Sequence, residues 1–231
     1  GHFRRPAVLL IDEYDVPLAK AAFRGYYDRM AEFMRSLLAP LKTNGEDTLD
    51  DGQPVLGKAI LTGCLRVSKE SLFTGVNNLE VNTVCSTDEE LAPAIGFTPD
   101  EVDALLACYG LEARREDVRR WYDGYRIAEQ ELYCPWDMMS FVKSAMKAPD
   151  PRRCAPQSFW ANTGGTDLID KFLGGLDEAE AGRMQALVDG EEISFPLNEQ
   201  LTYGDIELRR PEDFWTLLLS TGYLTLARPV Q

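Results

Sequence analysis

The sequence has few of the side chains from which structural metal sites and disulfide frameworks are built. His2 is the only histidine among 231 residues, and no two of the five cysteines form a C-x-x-C pair. This pattern argues against a structural zinc site, which needs four grouped cysteine or histidine ligands. The odd number and the isolated spacing of the cysteines predict reduced thiols in a cytoplasmic protein. They are Cys64, Cys85, Cys108, Cys134 and Cys154.

Long apolar runs and an excess of positive charge are also missing. No apolar stretch approaches the ~20 residues of a transmembrane helix, and no secretory signal is recognisable, so we expect no membrane association. The net charge of −14 argues against direct nucleic-acid binding by this chain, because phosphate binding needs concentrated positive charge. The remaining composition, 45% hydrophobic and 27% charged, is typical of a globular protein.

The first part of the chain has the pattern of a parallel sheet. The five apolar residues 7–11 predict a strand covered on both faces. Residues 58–63 predict a second buried strand and residues 79–84 a third. Between the first two, Asp15 and Pro17 open a predicted helix that continues to about Ala39 at helical spacing.

The second part has a mainly helical pattern. The stretch "FTPDEV" at 97–102 predicts a capping box with Thr98 as the cap and a helix that ends near Gly110. The stretch "WYDGY" at 121–125 predicts a turn at its Asp-Gly pair, with a structural cluster of aromatic rings around it. This change from a strand-and-helix pattern to a helical one predicts two domains, 1–90 and 91–231. Further helices are predicted at 115–122, 135–146, 166–173, 177–188 and 211–220, and short strands at 193–197 and 223–227.

Two carboxylates directly follow the first predicted strand. A buried strand that ends in Asp12-Glu13 delivers both side chains to the carboxyl edge of a sheet, where open α/β folds bind their ligands. Phosphoryl transfer to water uses such a pair, one carboxylate for magnesium and the other to polarise the attacking water. Asp12 and Glu13 therefore resemble a Walker B pair. The alternative is that Asp12, Glu13 and Asp15 only cap the next helix and interact with its dipole.

Polar and cationic residues follow the second predicted strand. Thr62 would place a hydroxyl beside the carboxylates of the first strand, where it can orient water or contact the γ-phosphate. Arg66 and Lys69 come next, and cations at these positions can neutralise charge on a transferred phosphoryl group. The alternative interpretation is an ordinary polar loop, which is the more common role for a single lysine such as Lys69.

Together these stretches resemble the predicted AAA-ATPase-like proteins, bacterial P-loop proteins often linked to a PD-(D/E)XK-type nuclease-like domain. The resemblance implies a partial α/β fold: part of an ASCE-type P-loop NTPase parallel sheet, followed by a mainly helical, lid-like region. It implies Asp12 as the magnesium and ATP-binding residue, Glu13 as the catalytic base, and Thr62 with Arg66 as the sensor pair. Lys69, from its position after the second strand, is a further candidate for ATP binding. The matching stretches, from residue 8 to about 227, are "LLIDEYDVPL", "ILTGCLRVSKESLFTGVNNL", "GFTPDEV", "WYDGYRI" with "LYCPWDMMSFV", "FWANTG" and "FWTLLLSTGYLTLA".

The chain departs from that family in one respect. It contains no G-x-x-x-x-G-K-[ST] loop, the backbone cradle and lysine that bind the phosphates of ATP. We expect that the chain begins after this loop, that ATP and Mg²⁺ act in an intact parent, and that neither is bound by this chain alone. The ATPase activity is thus expected of the parent, which would regulate an attached effector.

Two other functions remain open from the sequence. The chain can be a non-catalytic module that binds a protein partner through its acidic, helical part. It can also be a metal-dependent hydrolase that uses Asp12, Glu13 and Asp15 without a P-loop. The second alternative lacks a later strand with the further acids that two-metal sites contain.

Overall fold

A computed structural model describes the chain in eight ranges: residues 5–42, 48–49, 52–65, 79–85, 90–127, 129–159, 176–205 and 210–227. It is a mixed α/β structure with two small sheets and seven α-helices in these ranges. In chain order the elements are β1 (Ala7–Ile11), α1 (Val16–Phe23), α2 (Tyr27–Leu37), β2 (Leu56–Leu61), α3 (Pro99–Cys108), α4 (Arg115–Tyr122), β3 (Asp123–Ile127), β4 (Gln130–Tyr133), α5 (Pro135–Lys147), α6 (Glu178–Val188) and α7 (Pro211–Ser220).

The chain divides into two compact units. The first consists of Gly1–Glu80 with Gly174–Thr221, and the second of Val81–Leu173 with Gly222–Gln231. The predicted division into a Walker B and sensor half, 1–90, and a helical, lid-like region, 91–231, stays a prediction.

The first unit contains the predicted parallel pair of strands. β1 and β2 are hydrogen-bonded in parallel, with Leu9 opposite Ala59 and Ile11 opposite Leu61. The expectation that β1 is covered on both faces is wrong, since Val8 and Leu10 are 63% and 68% exposed. A continuous apolar run shows that a strand is compatible with double burial, but it does not show that a second layer is present.

The predicted long helix after β1 is two helices. α1 ends at Phe23, and Gly25 takes the left-handed conformation with φ +73° before α2 begins at Tyr27. Glycine adopts this conformation without a steric cost, so it ends a helix even where the apolar spacing continues. Both helices bury apolar residues, among them Leu18 and Met34.

The C-terminal segment of the first unit supplies the largest buried side chains. α7 buries Phe214, Trp215 and Leu217. The stretch "FWTLLLSTGYL" at 214–224 is predicted to be core; this is confirmed for residues 214–219 and wrong for Tyr223, which is 56% exposed. α6 begins at the cap Asp177, whose carboxylate accepts from the Glu180 N–H at 2.8 Å. Both helices lie within a residue of the predicted bounds 177–188 and 211–220.

The second unit surrounds one apolar core. Thr98 and Glu101 form the predicted capping box: the Thr98 N–H donates to Glu101 Oε2 at 2.9 Å, and the Glu101 N–H donates to Thr98 Oγ1 at 3.3 Å. The core residues come from α3, α4, β4, α5 and the loop before α4: Val102, Leu106, Leu111, Val118, Tyr122, Tyr133, Met138, Phe141, Val142 and Ala145.

The predicted turn at Asp123-Gly124 is wrong. These residues begin β3, which pairs antiparallel with β4 and has an irregular register between Asp123 and Tyr125. Glycine often marks such irregular positions in strands as well as turns. Of the predicted aromatic cluster, Tyr122 packs against Phe141, whereas Trp121 and Trp136 are more than half exposed.

Three short strands predicted from composition are not formed. Residues 79–84, 193–197 and 223–227 have no regular structure where they are described. At the first, Thr83 Oγ1 accepts from the Cys85 N–H at 3.3 Å, a local bond that competes with sheet pairing. At the second, Pro196 lacks a donor for a ladder. At the third, the Thr225 side chain, not the backbone, accepts from the Arg126 N–H.

Candidate functional site

The candidate site lies at the carboxyl edge of the β1–β2 pair. Because the strands are parallel, Asp12 after β1 and Thr62 after β2 reach the same edge. Backbone pairing continues past the strands: the Thr62 N–H donates to the Ile11 carbonyl, and the Tyr14 N–H donates to the Thr62 carbonyl, both at 2.9 Å. Thr62 is therefore fixed between the residues on either side of Asp12-Glu13.

The Thr62 hydroxyl joins the two acidic residues. It donates to Asp12 Oδ1 and accepts from the Glu13 N–H at 3.2 Å. The three residues are exposed, so an incoming group can reach them. The structure thus places the hydroxyl beside the Asp12 carboxylate, as the sequence predicted, and the chemical roles of Asp12, Glu13 and Thr62 stay predictions.

The backbone of Glu13 is in an unfavourable conformation. Its φ is +52°, the only positive value for a non-glycine residue in the described part of the chain. A side chain in the left-handed region costs about 1–2 kcal/mol relative to the right-handed one. Such conformations concentrate at functional sites, where the surroundings hold them in place. Here the Glu13 N–H is held by Thr62 and the Tyr14 N–H by the next ladder bond.

Two of the predicted site residues, Arg66 and Lys69, lie outside the described residues. The described ranges contain no group of three or more His, Cys, Asp or Glu side chains that could hold a metal by themselves. Magnesium, however, is commonly held by one or two carboxylates together with waters and substrate phosphates. The Asp12 carboxylate and the Thr62 hydroxyl are hard oxygen donors of this kind, so the residues present fit a shared magnesium site.

Asp15 has a role that sequence reasoning missed. It is fully buried, and its Oδ2 accepts from the N–H groups of Cys64 and Leu65 at 2.9 Å and from the Tyr203 hydroxyl at 2.8 Å. The hypothesis that its side chain caps the next helix is wrong, because it makes no hydrogen bond to α1. The sequence did not reveal this role, because an aspartate two residues before a proline looks the same whether it caps a helix or binds a neighbouring loop. Its partner Tyr203 is also 188 residues away in the chain.

The electrostatics around Asp15 keep its neighbours protonated. Burial raises the pKa of Tyr203 far above its ordinary value, and the Asp15 charge raises it further, so the phenol remains a donor to that carboxylate. Burial also raises the pKa of Cys64, with added contributions from the charges of Asp15 and Glu13. Cys64 is thus a thiol at neutral pH, which argues against a thiolate nucleophile beside the site.

Comparisons with known proteins support part of the resemblance. Residues 2–73 match the family model described as "Predicted AAA-ATPase". The matched range contains the predicted site residues Asp12, Glu13, Thr62, Arg66 and Lys69. An uncharacterized protein in the vnfD 5' region of Azotobacter chroococcum is 28% identical over 229 residues. The alignment covers 96% of this chain and 37% of that protein, so the chain spans little more than a third of the relative's length. No solved structure matches.

Within the ranges that the structure describes, none of the helices has the length and apolar character that crossing a bilayer requires.

Proposed function

We propose that this chain supplies the catalytic sheet edge of an ATP-hydrolysing, AAA-like ATPase that is longer than these 231 residues. The observation that carries the proposal is the Asp12–Thr62–Glu13 arrangement at the ends of two adjacent parallel strands. The Thr62 hydroxyl donates to the Asp12 carboxylate and accepts from the backbone N–H of Glu13. This edge lies inside the segment that matches the AAA-ATPase family model. The longer relative is consistent with a protein of several parts.

Each residue has a distinct role in this proposal. Asp12 would hold the magnesium, which would supply positive charge to stabilise the phosphates of ATP. Glu13 accepts a proton from the attacking water, whose oxygen bonds to the γ-phosphorus as the bond to the bridging oxygen breaks, giving ADP and phosphate. Thr62 orients the Asp12 carboxylate and the Glu13 backbone, and Arg66 and Lys69 provide positive charge for the phosphates.

The proposal requires a Gly-Lys-Ser phosphate-binding loop elsewhere in the longer protein. The family resemblance also implies an effector, a nuclease-like domain, that the ATPase would regulate. Sequencing the reading frame on both sides of this chain tests both requirements directly. A frame without the loop would contradict the ATPase proposal and favour the alternative, a protein-interaction module derived from such an ATPase.

Glu13→Gln in the full-length protein tests the chemistry. The amide keeps the shape of the side chain but loses the basic oxygen, so single-turnover hydrolysis should fall by about 10²–10⁴-fold. ATP affinity, measured by calorimetry on the same preparations, should stay within about threefold because Glu13 acts on water and not on the phosphates. Glu199→Gln, an equal substitution at an exposed position, is the matched control. Hydrolysis by Glu13→Gln at the rate of the control would refute the role of Glu13.

A further inference from the structure

The two residues after Asp12-Glu13 hold the residues after Thr62. The Tyr14 hydroxyl donates to the Leu65 carbonyl at 2.8 Å, and Asp15 Oδ2 accepts from the N–H groups of Cys64 and Leu65. The polar backbone groups of Leu65 are therefore both bound by side chains from the β1–α1 connection. Tyr14 and Leu65 are buried, so water competes little for these bonds.

Gly63 shows how close the two segments lie. A Cβ atom on Gly63 would be 2.7 Å from both Asp15 Oδ1 and Tyr14 Cε1, which is closer than side-chain carbons approach other atoms in proteins. The segment after Thr62 thus packs directly on Tyr14 and Asp15. The contact lies one residue from the hydroxyl that orients Asp12 and Glu13.

A third donor comes from a distant part of the sequence. The Tyr203 hydroxyl, in the C-terminal segment of the first unit, donates to the same Asp15 oxygen. Tyr203 is 5% exposed and Asp15 is fully buried. The other oxygen, Asp15 Oδ1, has no hydrogen-bond partner among the described residues. The full set of contacts on Oδ2 fixes the carboxylate at one position and in one orientation.

Stabilisation of the fold alone is a weak explanation for this arrangement. A buried carboxylate loses most of its hydration, and apolar side chains of equal volume often stabilise a fold as well or better. The carboxylate instead fixes the positions of its three donors, since each hydrogen bond needs a defined distance and angle. The atoms so fixed belong to Gly63–Leu65, which connect Thr62 to Arg66.

We propose that Asp15 is a positioning residue of the candidate site, and that Tyr203 fixes it so that Thr62 and the Gly63–Leu65 backbone keep the geometry needed for hydrolysis. This inference rests on the proposed ATPase function. It adds two residues, Asp15 and Tyr203, that contact neither substrate nor metal in that proposal. It also makes the C-terminal segment of the first unit part of the site.

Tyr203→Phe is the variant that tests the inference, because it removes one donor and keeps the buried ring. In the chain itself, hydrogen exchange read by NMR should show about tenfold faster exchange at the Cys64, Leu65 and Glu13 amides, as loss of one bond to a charged acceptor predicts. Asp15→Asn, which removes the charge at constant shape, should act at the same amides. Tyr122→Phe is the matched control, since it removes a buried hydroxyl that is bonded to Gln157 in the second unit.

Hydrolysis separates a positioning role from a structural one. In the full-length protein, Tyr203→Phe should slow single-turnover hydrolysis about tenfold with nucleotide affinity within about twofold, at a temperature where it is fully folded. Tyr122→Phe should change neither. In a full-length protein that hydrolyses ATP, hydrolysis by Tyr203→Phe at the rate of the control would overturn the inference, whether or not exchange at the three amides is faster. Faster exchange at these amides in a protein whose wild type does not hydrolyse ATP would support the positioning contacts and refute the ATPase proposal.

Discussion

Gly63→Ala should destabilise the first unit strongly, and the structure allows the effect to be estimated. The new Cβ would be 2.7 Å from Asp15 Oδ1 and from Tyr14 Cε1, whereas ordinary contact begins at 3.4 Å, so each neighbour must move by about 0.7 Å. Neither is free to do so: Asp15 accepts three hydrogen bonds, and the Tyr14 hydroxyl donates to Leu65. Gly63 does not have a positive φ, so the cost is steric.

The estimate combines two contributions. Overpacking of a buried contact costs about 1–3 kcal/mol, and loss of one hydrogen bond to a charged group adds about 1.5–3 kcal/mol. The expected loss in the free energy of unfolding is therefore about 2.5–6 kcal/mol. For a protein of this size each kcal/mol lowers the melting temperature by about 2–4 °C, so the melting temperature of the variant should be lower by roughly 5–24 °C.

The same substitution at Gly182 is the control. Gly182 lies inside α6 in the same unit, and a Cβ there meets no atom within 4 Å. Alanine is favoured over glycine in a helix by about 1 kcal/mol, so this variant should be more stable than wild type. Urea unfolding followed by circular dichroism measures both. A Gly63→Ala protein within about 0.5 kcal/mol of wild type, the usual range for a neutral surface change, would refute the close packing of Gly63 on Asp15.

The pKa of Tyr203 is raised in the folded protein, so on raising the pH the tyrosine of the unfolded chain loses its hydroxyl proton first, near pH 10. The neutral phenol therefore contributes fully to stability below that pH. Above it, this contribution falls by up to about 1.4 kcal/mol per pH unit. Urea midpoints between pH 8 and 11 should therefore fall less steeply in Tyr203→Phe than in wild type, and equal slopes would contradict this coupling. Thr98→Ala removes one half of the capping box of α3 and should cost about 1 kcal/mol. Ser36→Ala, which removes a hydroxyl bonded within α2, is its control and should be near neutral in the same urea assay.

Local signals in the sequence predicted the elements that depend on local chemistry. The capping box at Thr98 and Glu101 was predicted correctly because its bonds join residues three positions apart. The parallel pair β1–β2 was predicted from two apolar runs that each end in polar residues. The position of Thr62 beside Asp12 then followed from parallel pairing, since that geometry brings the carboxyl ends of both strands to one edge.

The features that were missed depend on distant contacts or on competing local bonds. The break at Gly25 was hidden because the apolar spacing of α1 continues into α2. The exposure of Val8 and Leu10 depends on which layers are present, and a strand's own residues do not contain this information. The bond between Tyr203 and Asp15 joins residues 188 positions apart, and neither side chain has a neighbouring motif that points to the other.

The four residues Asp12 to Asp15 show how one connection can serve both chemistry and structure. Asp12 and Glu13 are exposed at the sheet edge, whereas Tyr14 and Asp15, the next two residues, are buried. The left-handed backbone of Glu13 lies at the boundary between these pairs. Its unfavourable conformation persists because ladder bonds through Thr62 and buried bonds through Tyr14 and Asp15 hold the chain on either side. The buried pair thus determines where the exposed pair can be, which is why we expect substitutions at Asp15 to affect hydrolysis without touching the substrate.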